Sequence, residues 1–410
     1  MIPRTIKTEI EYCIKNRPVT LITGARQVGK TFICRELSKE HGFGYVSLAD
    51  RMERELASKD PEAFLKLHEV PLIIDEVQYA PNLFDSIESA VDKELFDHGI
   101  ANGMYILTGS QAYNLMQGVT QSMAGRVGIV RMSTLSISEI NGRGSIPFTP
   151  DIERCYIRAK EVNRDISGIY SDILRGGYPE LYNNPELRTY QFYSDYVDSY
   201  ISKDVTQMIN IKDQHKFMNF MQILASLTGQ ELVYDTISNA VGINIRTVKE
   251  WMSVLIAGDI IFLQQPYFKT SSVKRITKKP KLYFKDTGLA CYLAKIPDSK
   301  TLEASYLKGP MAETYIVNEI MKSYQNNGEN ASFYHYRDSN DNEIDLIINK
   351  DGRLMLIECK GGIECGPDDA KAFDRMVDTD GCAKIQCIVC MSETPYPIVK
   401  EVYAVPVTSI

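Results

Sequence analysis

The stretch Val19-Thr-Leu-Ile-Thr-Gly24-Ala-Arg-Gln-Val-Gly29-Lys30-Thr31 runs from a short apolar strand through a glycine-bounded loop into a helix read over 31–41. Its second half fits G-x-x-x-x-G-K-[ST] in full. Glycines let the backbone curl so that its N–H groups point at phosphate oxygens, and the following helix adds the partial positive charge of its N-terminus. The residues expected around a nucleoside triphosphate are therefore Gly24, Ala25, Arg26, Gln27, Val28, Gly29, Lys30, Thr31 and Phe32. Lys30 is placed for the β and γ phosphates and the Thr31 hydroxyl for Mg²⁺.

Working outward, Pro71-Leu-Ile-Ile-Asp75-Glu76 is an apolar strand ending in two acids. Asp75 is expected to hold Mg²⁺ through water, and Glu76 to orient and polarise the attacking water. Tyr105-Ile-Leu-Thr108-Gly109-Ser110 ends the next strand, where Thr108 and Ser110 offer hydroxyls towards a γ-phosphate. Arg126, after Ser122-Met-Ala-Gly125, has two readings: a finger on a neighbouring subunit's nucleotide, or an ordinary surface arginine. Strands at 19–23, 44–48, 71–75 and 104–108 alternate with helices, which predicts an α/β fold with a parallel sheet covered on both faces.

Residues 1–145 make this first domain, and the Gly/Pro/Ser stretch 143–150 reads as a boundary. Residues 146–214 follow helical spacing, broken at Gly176-Gly-Tyr-Pro179, and read as a helical lid and connector. Residues 215–299 order three helices, a strand, a basic run from Lys269 to Lys281 and a closing strand, the order of a winged helix-turn-helix. Arg246 and Lys249 on its third helix, and Lys274 and Arg275 in the run, are the candidate contacts to double-stranded DNA. The same elements also suit a protein partner.

Residues 300–410 form a small α/β unit. Lys350-Asp-Gly-Arg353 signals a two-residue hairpin. Pairing Lys350 with Arg353 brings Asp345 opposite Glu358, with Glu343 and Lys360 on the same face. Facing carboxylates repel, and a hard divalent cation such as Mg²⁺ between Asp345 and Glu358 would relieve them. With Lys360 beside the cation and Glu313 on the preceding helix, this set suits metal-assisted phosphodiester cleavage. The alternative is a charged strand face in which Lys360 only neutralises acids.

The strings Leu21–Thr31, Ile73–Gln78, Ile106–Ser110, Ala124–Arg126 and Gly176–Glu180 together resemble a prokaryotic AAA-type ATPase family with a carboxy-terminal domain of unknown function. Lys281-Leu-Tyr-Phe-Lys-Asp-Thr-Gly-Leu289 and Glu343-Ile-Asp345 look like that domain's markers. The resemblance covers nearly the whole chain. It implies a P-loop AAA core with a lid, a winged helix and a restriction-endonuclease-like end. Ala25 stands where the family often has Pro, at a position whose side chain does not contact phosphate.

The 410 residues carry a formal net charge of −7, so a nucleic-acid contact would need a local basic surface. Nine cysteines are scattered in apolar stretches, and Cys387-x-x-Cys390 lacks the second pair that a zinc site needs, so reduced thiols are expected. No spanning helix and no leader are read, and the expected location is cytoplasmic. Three functions compete. One is an ATPase driving a DNA-bound, nuclease-like module; another is an ATP-switched regulatory protein with slow hydrolysis and an inert end. The third is a protein–protein adaptor. A homo-oligomer is an expectation that rests on Arg126.

Overall fold

The structure, a computed structural model, describes residues 2–109, 123–162, 164–200, 214–268, 279–338, 342–374 and 384–410. Ser110, Ser122, Lys274 and Arg275, and most of the basic run, lie outside the described residues.

Two compact units emerge from the contacts: Arg4–Thr134 with Ala257–Asp259, and Leu135–Ile256 with Ile260–Ile410 plus the first three residues. The first unit orders α1 (Lys7–Asn16), β1 (Val19–Thr23), α2 (Lys30–His41), β2 (Gly44–Ser47), α3 (Arg51–Lys59), α4 (Pro61–Leu67), β3 (Leu72–Asp75), α5 (Leu83–His98), β4 (Tyr105–Gly109) and β5 (Val127–Arg131). Its sheet runs β2-β3-β4-β1-β5 with every neighbour parallel. The inner strands β1, β3 and β4 are buried along their whole length. That explains their unbroken apolar sequence, since both sheet faces are covered. One core cluster joins Leu21, Ile74 and Leu107 of the sheet to Phe64, Phe84 and Ile87 of the helices. In-register parallel pairing brings the carboxyl ends of β1, β3 and β4 side by side. Ligands of open α/β sheets bind at this edge.

The second unit is built on a nine-stranded sheet ordered β13-β14-β12-β11-β10-β9-β7-β8-β6. Its strands are β6 (Gln230–Glu231), β7 (Ile261–Pro266), β8 (Lys281–Phe284), β9 (Ser332–Arg337), β10 (Glu343–Lys350), β11 (Arg353–Cys359), β12 (Lys384–Cys390), β13 (Tyr396–Val399) and β14 (Val402–Pro406). Lys350 does pair with Arg353 across β10 and β11. Helices Gln214–Ser226, Tyr234–Val241 and Ile245–Ala257 lie where their apolar spacing places them. Trp251 packs edge-on against Phe217 and Phe220. Val248, Met252 and Leu255 share its buried face.

The stretch 143–150, read as a boundary, lies within the second unit, where Arg143 donates to the carbonyls of Arg158, Thr408 and Ile410. A 3₁₀ turn, Pro367–Ala370, leads into a helix described over Lys371–Asp374. Strands β5, β13 and β14 were not anticipated; β5, at a sheet edge, alternates buried residues with more exposed ones.

The glycine-rich strings at 176–180 and 285–289 meet in this unit. Buried Asp286 accepts from Gly177 N at 2.8 Å, Tyr193 OH at 2.7 Å and Leu289 N at 2.9 Å. A Cβ on Gly288 would stand 2.3 Å from Tyr193 OH, so only glycine fits there. These motif residues therefore form a packing joint. Asp286→Ala strands the Gly177 and Leu289 N–H donors at about 1–3 kcal/mol each, while Tyr193 OH keeps the Arg175 carbonyl. We expect a clear fall in the thermal midpoint of the full chain; an unchanged midpoint would contradict the role assigned to this joint.

Candidate functional site

The loop between β1 and α2 holds its shape through unusual backbone angles. Gly24 has φ +141 and Gly29 φ +101, and a Cβ on Gly24 would meet the Met132 carbonyl oxygen at 2.1 Å. Arg4, which sequence reading missed, props the loop from behind: its guanidinium donates to Val28 O and Ser133 O, both at 2.7 Å. Ala25 and Val28 are buried, Arg26 is half-buried, and Gln27 and Phe32 are exposed.

Lys30 is buried and donates to Gly24 O at 2.9 Å and Ala25 O at 2.7 Å. The ammonium thus folds back on the loop that would cradle phosphates. Burial pulls its pKa down from the lysine range to about 8, against the pull of Glu76. A triphosphate beside Lys30 restores the charge. ATP binding near pH 9 is therefore expected to take up close to one proton per chain, and near pH 7 almost none. Calorimetry in buffers of differing ionisation enthalpy reads this; equal proton counts at both pH values would contradict it.

Asp75, at the end of β3, gathers three hydroxyls. Thr31 Oγ1 donates to its Oδ2 at 3.0 Å and Tyr45 OH to the same oxygen at 2.8 Å, while Thr108 donates to Oδ1. Thr108 Oγ1 in turn accepts the Glu76 N–H at 3.3 Å. Tyr45, on the neighbouring strand β2, was not anticipated. Burial raises its phenol to about 12, so it remains a donor at neutral pH. Glu76 sits in the left-handed region at φ 60, a conformation that costs of order 1 kcal/mol and concentrates at functional sites. Its carboxylate accepts from Gln78 Nε2. The Thr31–Asp75 pair is the oxygen-donor set a Mg²⁺ ion on a nucleotide requires, and these residues fit that group.

Arg126 forms an ion pair with Asp92 at 2.6 Å and with Glu88 at 3.1 Å, both on α5. Its side chain is engaged within its own unit.

In the second unit, Arg246 is exposed and pairs with Glu250 at 3.1 Å, which offsets its charge on that helix face. Lys249, also exposed, lies over the Tyr234 ring at 5.4 Å. An apolar, aromatic-lined cavity of about 430 Å³ lies elsewhere in this unit, beside Tyr190, Tyr193 and Tyr292.

The carboxylates near the end come together, but around a partner the sequence reading had assigned to the basic run. Lys281, from β8, places its Nζ 2.8 Å from Glu313, 2.5 Å from Glu343 and 2.9 Å from Asp345. Burial opposes that charge, yet Asp345, Tyr283, Glu313 and Glu343 outweigh it and hold the ammonium well above the lysine range. Glu358 is raised to about 9 by burial and by Asp345. Lys360 turns to Glu358 at 3.0 Å and Asp369 at 3.3 Å. The Lys281 ammonium thus stands against Asp345, where a divalent cation is expected from the sequence. Cys387 and Cys390 are free buried thiols.

Three family models match successive parts of the chain: an AAA domain over residues 16–141, a domain of unknown function (DUF8612) over 168–300, and another (DUF4143) over 308–410. Two relatives, "Uncharacterized protein Rv2008c" of Mycobacterium tuberculosis and "Uncharacterized protein Mb2031c" of Mycobacterium bovis, are each 24% identical. Both alignments span 99% of this chain and 84% of the relative. Among solved structures, a Walker-type ATPase of Pyrococcus abyssi is similar at TM-score 0.45 and 15% identity, covering 70% of this chain and 94% of its own. A RuvB variant of Thermotoga maritima is similar at TM-score 0.30 and 13% identity, covering 64% and 89%. At those scores the structural likeness adds nothing to the site's own geometry. No helix among the described residues is long and apolar enough to cross a membrane. The match over 16–141, the parallel sheet and the loop–acid pair agree that residues 16–141 form an AAA domain.

Proposed function

We propose that the chain binds ATP with Mg²⁺ at the 24–31 loop and hydrolyses it. The observation that carries this reading is the Asp75 carboxylate, buried at the strand end and shared by the Thr31, Tyr45 and Thr108 hydroxyls. It stands next to a lysine that donates to the loop's own carbonyls. Lys30 exchanges those carbonyls for β- and γ-phosphate oxygens as nucleotide enters. Thr31 and, through water, Asp75 would hold a Mg²⁺ ion, which would supply charge neutralisation to the phosphates. Glu76, steadied by Gln78, takes or orients the proton of the attacking water. Ser110 as a γ-phosphate sensor is part of the proposal. Arg126 acts in a homo-oligomer only if it leaves Asp92 and Glu88.

For the output we favour the regulatory reading, in which nucleotide state controls a binding module and the end module cuts nothing. The helix pair Tyr234–Val241 and Ile245–Ala257, set between β6 and β7, supports a winged helix-turn-helix that engages DNA through Arg246, Lys249, Lys274 and Arg275. The order of a helix, three antiparallel strands and a parallel return strand supports a restriction-endonuclease-like fold for the last segment. The Lys281 ammonium among the acids weighs against the nuclease reading, with Asp345, Glu358 and Lys360 as its catalytic set. Phosphate release from Mg-ATP by the full chain tests the proposal: steady turnover supports it, and no release with or without DNA opposes it.

A further inference from the structure

The carboxylate cluster is closed by geometry that owes nothing to the nucleotide site. An ammonium group has three N–H donors, and Lys281 has three carboxylates within reach, from the helix Lys308–Gln325 and from β10. Its side chain is 3% exposed, so no water competes for those donors. Two of the three acids make further contacts. Glu313 Oε1 also accepts Tyr283 OH at 2.5 Å, and Asp345 Oδ2 accepts Cys359 N at 3.0 Å. A magnesium ion needs oxygens at about 2.0–2.1 Å in near-octahedral array. Asp345, Glu343 and Glu313 would have to release the ammonium first, and ion and ammonium would then repel within a few ångströms.

Lys281 also belongs to a different stretch of chain. It lies in β8, within the segment matching one domain of unknown function, whereas Glu313, Glu343 and Asp345 lie in the segment matching the next. Its removal would leave three carboxylates crowded without a counter-charge, which strongly destabilises a buried group.

We propose that Lys281 is the resident cation of this cluster: it fills the place a divalent ion would take and locks β8 to the 308–410 segment, so the cluster binds no metal. This stands whether or not ATP is hydrolysed, and it fails separately from that reading.

The test titrates the nucleotide-free full chain with MnCl₂ and counts bound Mn²⁺ by electron paramagnetic resonance, with Asp345→Asn marking what belongs to the cluster. Wild type and Asp345→Asn are expected to give superimposable titrations to about 1 mM Mn²⁺. Lys281→Met is expected to melt lower than wild type, to gain one Mn²⁺ per chain, and to recover thermal stability with that ion. Wild-type binding of an ion that Asp345→Asn loses would overturn the proposal. So would a folded Lys281→Met that takes up no Mn²⁺. Should Lys281→Met fail to fold, the comparison of wild type with Asp345→Asn still decides.

Discussion

Glu76→Gln is expected to lower ATP turnover by about 10²- to 10⁴-fold while leaving ATP affinity within a few-fold of wild type. The substitution keeps the size of the side chain and its reach to Gln78, and removes only the ability to take a proton from water. The backbone at Glu76 is already in the left-handed region, anchored by the hydrogen bond from its N–H to Thr108. Glutamine inherits that constraint, so position is held and chemistry is lost. Single-turnover hydrolysis with pre-bound ATP isolates the chemical step. A Glu76→Gln variant that hydrolyses within twofold of wild type would remove Glu76 from the reaction.

Lys30→Ala attacks binding. A buried ammonium facing phosphates makes charge-assisted hydrogen bonds of about 1.5–3 kcal/mol each. Losing two of them weakens ATP by about 3–6 kcal/mol, about two to four orders of magnitude in Kd. The variant also frees the Gly24 and Ala25 carbonyls that Lys30 now satisfies. Its thermal midpoint should therefore be recorded beside its affinity, so that a loosened loop is told apart from a lost charge. Unchanged ATP affinity in a folded Lys30→Ala would contradict the assignment.

What could be read ahead of the structure was local. The loop motif, the apolar strands on either side of it and the Asp75–Glu76 pair sit within short windows whose periodicity and spacing carry the information. The hairpin at Asp351 and Gly352 is of the same kind: a two-residue turn sets the register of β10 on β11 without help from elsewhere. What could not be read came from distance along the chain. Lys281 meets Asp345 across 64 positions, and in sequence it is one more cation at the end of a basic run. Tyr45 reaches Asp75 because β2 happens to neighbour β3, a fact of sheet order that strand patterning does not encode. Arg4 is a lone basic residue ahead of α1 whose role appears only once the phosphate loop folds over it. The lesson of the acidic cluster is sharper: alternation along β10 and β11 gathered the acids, but which cation balanced them was decided by a strand outside the window.

The most direct measurement is a structure of the full chain with Mg²⁺ and a non-hydrolysable ATP analogue. The account predicts the β and γ phosphates against the 24–31 loop, Lys30 turned from its carbonyls onto them, and Mg²⁺ on the Thr31–Asp75 side. A nucleotide lodged elsewhere, or a loop that stays closed on Lys30 at saturating analogue, would contradict it.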